Sequence, residues 1–333
     1  MDEPGHLGGT MRVLVTGGAG FIGSIIVEKL VARGSDVEVI DSLRTGHREA
    51  VPAGVPFHKV DLQDRAALRE VLVPGRFNAV MHFAAISLVG DSVKDPSAYY
   101  QNNIVGTLNL LDSLVENNIS SLVFSSTAAV YGEPESVPID EQSGLRPTSP
   151  YGSTKLAMED AIRWYGGAYG LRSVVLRYFN AAGATQQRGE DHRPETHLIP
   201  RILHAALKGG GATVFGTDYP TRDQTAVRDY VHVEDLADAH LRALDRLVAG
   251  GNSLTCNLGS STGATVREVL AVAREVTGAE LPETIFPRRA GDPAVLIASN
   301  SLAKSELGWA PTRELPEMVA SAWAWLKAHP QGY

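Results

Sequence analysis

The chain has 333 residues, 44% of them hydrophobic and 20% charged, enough for one large α/β unit or two packed domains with an ample core. Its formal net charge of −8 disfavours nucleic acid or an anionic membrane as partner, so a polyphosphate ligand must be met by local cations, dipoles and backbone donors. Cys256 is the only cysteine, which excludes an internal disulfide and suits a reducing, cytoplasmic setting.

No apolar run reaches spanning length; the longest, residues 79–89, contains His82 and Ser87. The opening residues 1–10 are acidic and Gly-rich, unlike a signal peptide, and read as a flexible extension before Met11. Short apolar runs at 12–15, 37–40, 57–60, 79–83, 122–125 and 173–178 alternate with helical patterns. This predicts a Rossmann-type doubly wound α/β fold, a parallel sheet covered on both faces. A late run, 253–258, adds a further strand.

Between the first two strands, Ile22, Ile25, Ile26 and Leu30 fall at helical spacing, with Gly34 placed to stop the helix. Gly17, Gly20 and Gly23 form a Gly-x-x-Gly-x-x-Gly after the first strand and at the head of that helix. In this context Gly17 serves the tight turn, Gly20 the approach of a pyrophosphate, and Gly23 the close packing of helix on strand. Asp41 ends the second strand, eighteen residues after Gly23. A carboxylate there binds ribose hydroxyls and repels a 2′-phosphate, favouring NAD over NADP, although Arg44 lies close by. Asp61 ends the third strand and can meet an adenine; taken alone it reads as a turn acid.

Residues 96–117 read as a helix whose apolar residues serve either the core or a subunit face. The fifth strand runs into Ser125, Ser126 and Thr127; at a carboxyl-terminal strand end the Thr127 hydroxyl is well placed for a ligand, with Ser125 and Ser126 as competing candidates that spacing alone does not separate. Tyr151 and Lys155 are four apart in a helix beginning near Pro150, so they share one face. A nearby ammonium, with a positive nicotinamide ring, would lower the phenol from its ordinary pKa of about 10 and make it a base. Residues 181–230 are rich in Gly, Thr, Arg and Pro and read as loops and short elements. Helical periodicity returns at 231–248 and 265–277. The simplest division is an NAD-binding domain over 11–180, completed by about 231–262, and a smaller substrate-binding domain within 181–333.

The segments VLVTGGAGFIGS, HFAA, FSSTAAVYG, SPYGSTK, LRYFNAAGA, VRDYVHVEDLADAH and PRRAGDP occur in this order, and the chain ends HPQGY. Together they resemble the extended short-chain dehydrogenase/reductase family and, within it, the UDP-glucose 4-epimerases. The resemblance implies a catalytic triad of Thr127, Tyr151 and Lys155. It implies NAD contacts from Phe21, Ile22, Asp41, Asp61, Leu62, Phe83, Ala84, Ala85, Asn102 and Phe179. Substrate contacts would come from Asn180, Leu198, Phe215, Arg228, Tyr230, Arg289 and Asp292, the two arginines suiting a diphosphate. The implied reaction oxidises carbon 4 of a UDP-hexose to a keto sugar with bound NADH, turns the sugar over, and reduces its other face. A homodimer is the family's usual assembly. No metal is expected.

Three positions depart from the family pattern. Ser87 stands where some members carry a cofactor-side Lys, and His197 replaces an Asn before Leu198. Val295 stands where some carry a bulky Tyr, which would leave room for the N-acetyl group of UDP-GlcNAc. Ala128 and Ala129 after Thr127 argue against a sugar dehydratase, which needs an acid there; Asp41 argues against an NADPH-consuming reductase. A 4-epimerase of UDP-glucuronate or UDP-xylose remains open, with Arg188, Arg193 and Arg222 as candidate cations. A non-catalytic NAD sensor would be expected to have lost Tyr151 or Lys155, and both are present.

Overall fold

The computed structural model describes residues 10–289 and 292–333; residues 1–9, most of the expected extension, lie outside it. Seven parallel strands form the main sheet: β1 (Arg12–Thr16), β2 (Asp36–Asp41), β3 (Phe57–Lys59), β4 (Ala79–His82), β5 (Ser121–Thr127), β6 (Arg172–Tyr178) and, after four short strands, Leu254–Leu258. Those four are β7 (Asn180–Ala182), β8 (Ala212–Phe215), β9 (Val227–Arg228) and β10 (Tyr230–His232), which makes the seventh sheet strand β11. The order is β11-β6-β5-β4-β1-β2-β3. The chain therefore winds one way from β1 to β3 and the other way from β4 to β11, and the reversal opens a crevice beyond the carboxyl ends of β1 and β4.

Helices cover both faces of this sheet: α1 (Phe21–Ala32), α2 (Arg65–Val71), the short α3 (Val89–Lys94) and α4 (Pro96–Tyr99), α5 (Gly106–Glu116), α6 (Pro150–Tyr169), and later α8 (Val233–Val248), which follows α7 (Leu198–Leu207). Strand alternation sorts the apolar side chains. Val13, Val15, Val39, Met81, Val123, Val174 and Leu176 face a core with α1 and α8. Leu14, Ile40, Val80, Leu122, Phe124 and Val175 face the opposite core with α2, α5 and α6. Both faces are dry, so the strands show no polar alternation, as the sequence predicts.

Three expectations are corrected. Residues 181–230 contain α7, ten residues long. Its apolar Ile199, Ile202 and Leu203 pack in a third core with α9 (Val266–Thr277) and α11 (Leu315–Ala328), which flank α10 (Ser301–Leu307). The run 231–248 begins as strand, since Tyr230–His232 pairs with β7 before α8 starts. The helix expected over 96–117 is interrupted by a π-turn, Tyr100–Val105. The remaining strands, β12 (Ala264–Thr265), β13 (Glu283–Phe286) and β14 (Val295–Leu296), complete small sheets with β8 and β9. No helix of the described residues is long and apolar enough to cross a membrane.

Candidate active site

The glycine loop lies at the sheet reversal. Gly17 has φ +74°, and a β-carbon there would sit 2.5 Å from the Ala84 nitrogen, so only glycine fits between β1 and the loop after β4. A β-carbon at Gly23 would sit 2.2 Å from the Gly17 oxygen, which locks α1 against the turn. At Gly20 the nearest neighbour is the Gly17 oxygen at 3.4 Å, so the backbone there stays accessible. Gly20 caps α1 without a side-chain acceptor, leaving Phe21 and Ile22 in a first turn whose amides suit an anion.

Asp41 is buried at the end of β2 and accepts from the Ala19 amide at 3.0 Å and the Leu43 amide at 2.8 Å. Burial raises its pKa and these two bonds oppose the rise. Arg44 is exposed. Asp61 accepts from the Gln63 amide at 2.9 Å, the turn role it has when read alone, while Leu62 is buried under Gly106.

Phe83, Ala84 and Ala85 follow β4 as a half-buried loop that ends at exposed Ser87. One residue that sequence reasoning missed, Asn103, holds this loop. Asn103, fully buried, accepts from the Ile86 amide at 2.9 Å and donates to the Ile86 carbonyl at 3.1 Å and to Thr154 on α6 at 3.0 Å. Asn102 donates to it at 3.0 Å. His82 lies between the hydroxyls of Thr16 at 2.7 Å and Thr107 at 3.0 Å; burial lowers its pKa to about 3, so it is neutral.

Thr127 ends β5, and the first turn of α6 rests on the turn beyond it. Ser149 caps α6 by accepting from the Gly152 amide at 3.2 Å, with Pro150 in the first turn. A β-carbon at Gly152 would sit 2.5 Å from the Ala129 oxygen, which explains why Tyr151 is followed by glycine. The Tyr151 ring is partly open and meets Tyr99 edge-on, with centroids 6.5 Å apart. Lys155 is buried and donates to the Ser125 carbonyl at 2.9 Å, 5.0 Å from the centre of the Phe124 ring. Ser125 is bonded to Tyr178, and Ser126 to Glu159, so of the three hydroxyls Thr127 alone faces Tyr151.

The protein's own groups do not by themselves acidify the phenol. Burial pushes Tyr151 up to about 12, with the Thr127 hydrogen bond pulling it back only in part. Burial pushes Lys155 down to about 7, partly offset by Glu159. At neutral pH the protein's own groups therefore hold a phenol beside a half-protonated amine, and forming the phenolate needs a further positive charge.

Leu198, Phe215, Arg228, Arg289 and Asp292 line one cleft of about 770 Å³ counting its open mouth. Thr196 and Arg201 line it too and were missed, because α7 was not recognised. The two arginines are less free than expected. Arg228 is paired with Asp292 and also donates to the Val227 carbonyl at 2.7 Å, and the Arg289 guanidinium lies 4.1 Å from the Phe215 ring centre. Buried Asp229, another residue missed, accepts from the amides of Ser260, Ser261 and Ala298 and so fixes the β9–β10 junction that carries Arg228 and Tyr230.

The other predicted residues lie outside this lining. Tyr230 and Phe179 are buried. Asn180 donates to the Asp229 carbonyl at 2.9 Å. Val295 is half-buried on β14 beside Val227. His197 turns its Nδ1 onto Glu190 at 2.7 Å, away from the cleft lining. Arg188, Arg193 and Arg222 are tied to Glu28, Asp191 and Glu268, which removes the candidate cations for a sugar carboxylate.

Comparison with known proteins agrees with the family and the fold. The NAD dependent epimerase/dehydratase family matches residues 13–259. The UDP-glucose 4-epimerase of Lactobacillus helveticus is 49% identical over 327 residues, 97% of this chain and 99% of that protein. The crystal structure of UDP-glucose 4-epimerase from Brucella ovis in complex with NAD is 43% identical, with TM-score 0.91 over 94% of this chain and 98% of that one. The enzyme from Bifidobacterium longum, in complex with NAD⁺ and UDP, is 35% identical with TM-score 0.92, covering 97% of this chain and all (100%) of the other.

Proposed function

Since this chain belongs to the NAD dependent epimerase/dehydratase family, we propose that it is an isomerase that interconverts UDP-glucose and UDP-galactose at carbon 4, with NAD as its resident cofactor. The observation that carries this reading is the placing of Tyr151, Lys155 and Thr127 at the carboxyl end of β5, in a sheet whose reversal point holds the glycine loop with an accessible backbone at Gly20. The residues present fit a dinucleotide: Gly20 leaves its backbone accessible at a helix N-terminus, and Asp41 stands at the adjacent strand end.

In this reading the loop Gly17–Gly23 with Phe21 and Ile22 holds the pyrophosphate, and Asp41 the adenosine ribose. Asp61 and Leu62 flank the adenine, while Phe83, Ala84, Ala85, Ser87, Asn102 and Phe179 line the rest of the cofactor crevice. When bound, NAD supplies a two-electron acceptor that oxidises carbon 4 and returns the same electrons. Tyr151 takes the proton of the 4-hydroxyl and gives it back, Thr127 hydrogen-bonds the same oxygen, and Lys155 holds the compensating charge. Arg228 and Arg289 anchor the diphosphate while the sugar turns. Leu198 and Phe215 wall the uridine, and Asn180, Tyr230 and Asp292 frame the pocket. Residues 11–180 with about 231–262 form the cofactor domain, and 181–333 supply the substrate side.

Arg188, Arg193 and Arg222 are committed elsewhere, so a uronate-specific epimerase is not favoured; Tyr151 and Lys155 together disfavour a non-catalytic sensor. Val295 in place of a bulky ring extends the substrate range to UDP-GlcNAc. The assembly is a cytoplasmic homodimer, supported by exposed Tyr100, Leu108 and Trp164, the last 67% exposed, on the side-by-side helices α5 and α6 and the π-turn before α5.

The test is to release and quantify NAD from purified protein, then follow UDP-galactose to UDP-glucose without added cofactor. Tyr151→Phe should lower turnover about 10²–10⁴-fold, the usual contribution of a positioned base. Wild-type turnover in that variant, or no interconversion by the parent chain, would sink the reading.

A further inference from the structure

The loop entering α7 carries Glu190, His192, Glu195 and His197, a Glu-x-His-x-x-Glu-x-His run that the proposed reaction does not use. Folded, one ligand atom from each lies within 4.8 Å of all the others. Both imidazoles present Nδ1 to the same carboxylates: His192 is 3.0 Å and His197 2.7 Å from Glu190 Oε1, and His197 is 3.0 Å from Glu195 Oε1. Glu190 and Glu195 keep only 8% and 10% of their side chains exposed, whereas His197 keeps 44%. The cluster is therefore walled on the carboxylate side and open to solvent on one imidazole.

A second observation points to a missing partner. Glu195 Oε1 already accepts the Thr196 and His197 amides, both at 2.7 Å. Glu195 Oε2 is buried, has no hydrogen-bond partner among the described residues, and lies 3.7 Å from His192 Nδ1. A buried carboxylate oxygen left this way is costly. The neighbouring guanidinium does not serve it, because Arg193 is turned onto Asp191 and the Gln331 carbonyl.

We propose that Glu190, His192, Glu195 and His197 bind one divalent transition-metal ion of the zinc class. Two imidazole nitrogens and two carboxylate oxygens make a borderline donor set that such ions favour over magnesium or calcium. Tetrahedral coordination at ordinary bond lengths spaces ligand atoms roughly 3.4 Å apart, inside the spread already present, so small side-chain rotations suffice. One divalent cation balances the two carboxylates with both imidazoles neutral. The ion would clamp residues 190–197 at the start of α7, next to Thr196 and Leu198 of the substrate cleft. It is structural and lies apart from Tyr151.

The experiment uses the full chain, treated with chelator and desalted, titrated with Co²⁺ and followed by visible absorption, then displaced with Zn²⁺. One ion per chain and the intense d–d bands of four-coordinate cobalt are expected. Glu195→Gln keeps an oxygen for the Thr196 and His197 amides but puts an amide NH₂ in place of Oε2. It should weaken binding more than about a hundredfold, beyond the effect of outer partners, and His192→Asn should do the same with NAD content unchanged. A second measurement needs no variant: Zn²⁺ should raise the melting temperature of the parent chain. Cobalt that stays six-coordinate and does not saturate, equal affinity in Glu195→Gln, or an unmoved melting temperature would each overturn the site. Because the readouts are binding and stability, failure here leaves the epimerase reading intact, and loss of turnover leaves this one intact.

Discussion

Replacing Lys155 with methionine removes the buried amine one helical turn from Tyr151 and exposes what the phenol does by itself. With its pKa near 12, Tyr151 at pH 7 is ionised to about one part in 10⁵, a barrier contribution of about 7 kcal/mol. Lys155, near 7, changes the proton inventory. Phenol with amine and phenolate with ammonium hold the same number of protons, so the pair reaches its active form without losing one to solvent. The wild-type rate should therefore be flat above about pH 7 and fall about tenfold per unit below it, as the amine gains a second proton. In Lys155→Met the rate should rise about tenfold per pH unit throughout the accessible range. At pH 7 it should lie about 10- to 10³-fold below wild type, because an ammonium about 4 Å from a phenolate stabilises it by roughly 1–4 kcal/mol. Steady-state kcat against pH, on protein checked for NAD content, reads both features. A flat profile in the variant, or a loss under about tenfold at pH 7, would refute this proton-sharing account.

The same lysine gives a stability signature. Its folded pKa near 7 lies below the unfolded value of about 10.4, so in that window the unfolded chain binds the extra proton and stability should rise with pH, by up to about 5 kcal/mol, a slope that Lys155→Met should abolish in denaturant titrations. Gly17→Ala forces a left-handed φ onto alanine and drives its β-carbon into the Ala84 backbone; a loss of about 2–4 kcal/mol and of co-purifying NAD is expected, and melting with NAD quantification reads both. Arg177→Met strands buried Glu159, which now takes Arg177 at 2.6 Å; urea unfolding should show about 3–5 kcal/mol lost, with most of it recovered in Arg177→Met/Glu159→Leu. Val295→Tyr should cut turnover of UDP-GlcNAc at least tenfold while sparing UDP-galactose; equal refusal by both proteins would show that the small side chain does not set the substrate range.

The strands, the glycine loop and the Tyr151–Lys155 helix were legible in the sequence because each depends on neighbours only a few residues away. A strand buried on both faces is an apolar run, a phosphate turn is a glycine spacing, and one helix face is a separation of four. Helix α7 was not legible. Pro200 and the polar residues around it blur its period, and its apolar side is defined by α9 and α11, which come much later in the chain. Tertiary structure alone paired Arg228 with Asp292, hung the loop after β4 on Asn103, and tied Asp229 to Ala298. It also decided the acidity of the site. Composition places a phenol near a lysine, but only packing determines that both lose water, and desolvation moves the two pKa values towards their neutral forms before any ligand arrives. Sequence determines which groups are available; the distances and the dielectric around them belong to the fold, because both are sums over residues that the chain brings together from far apart.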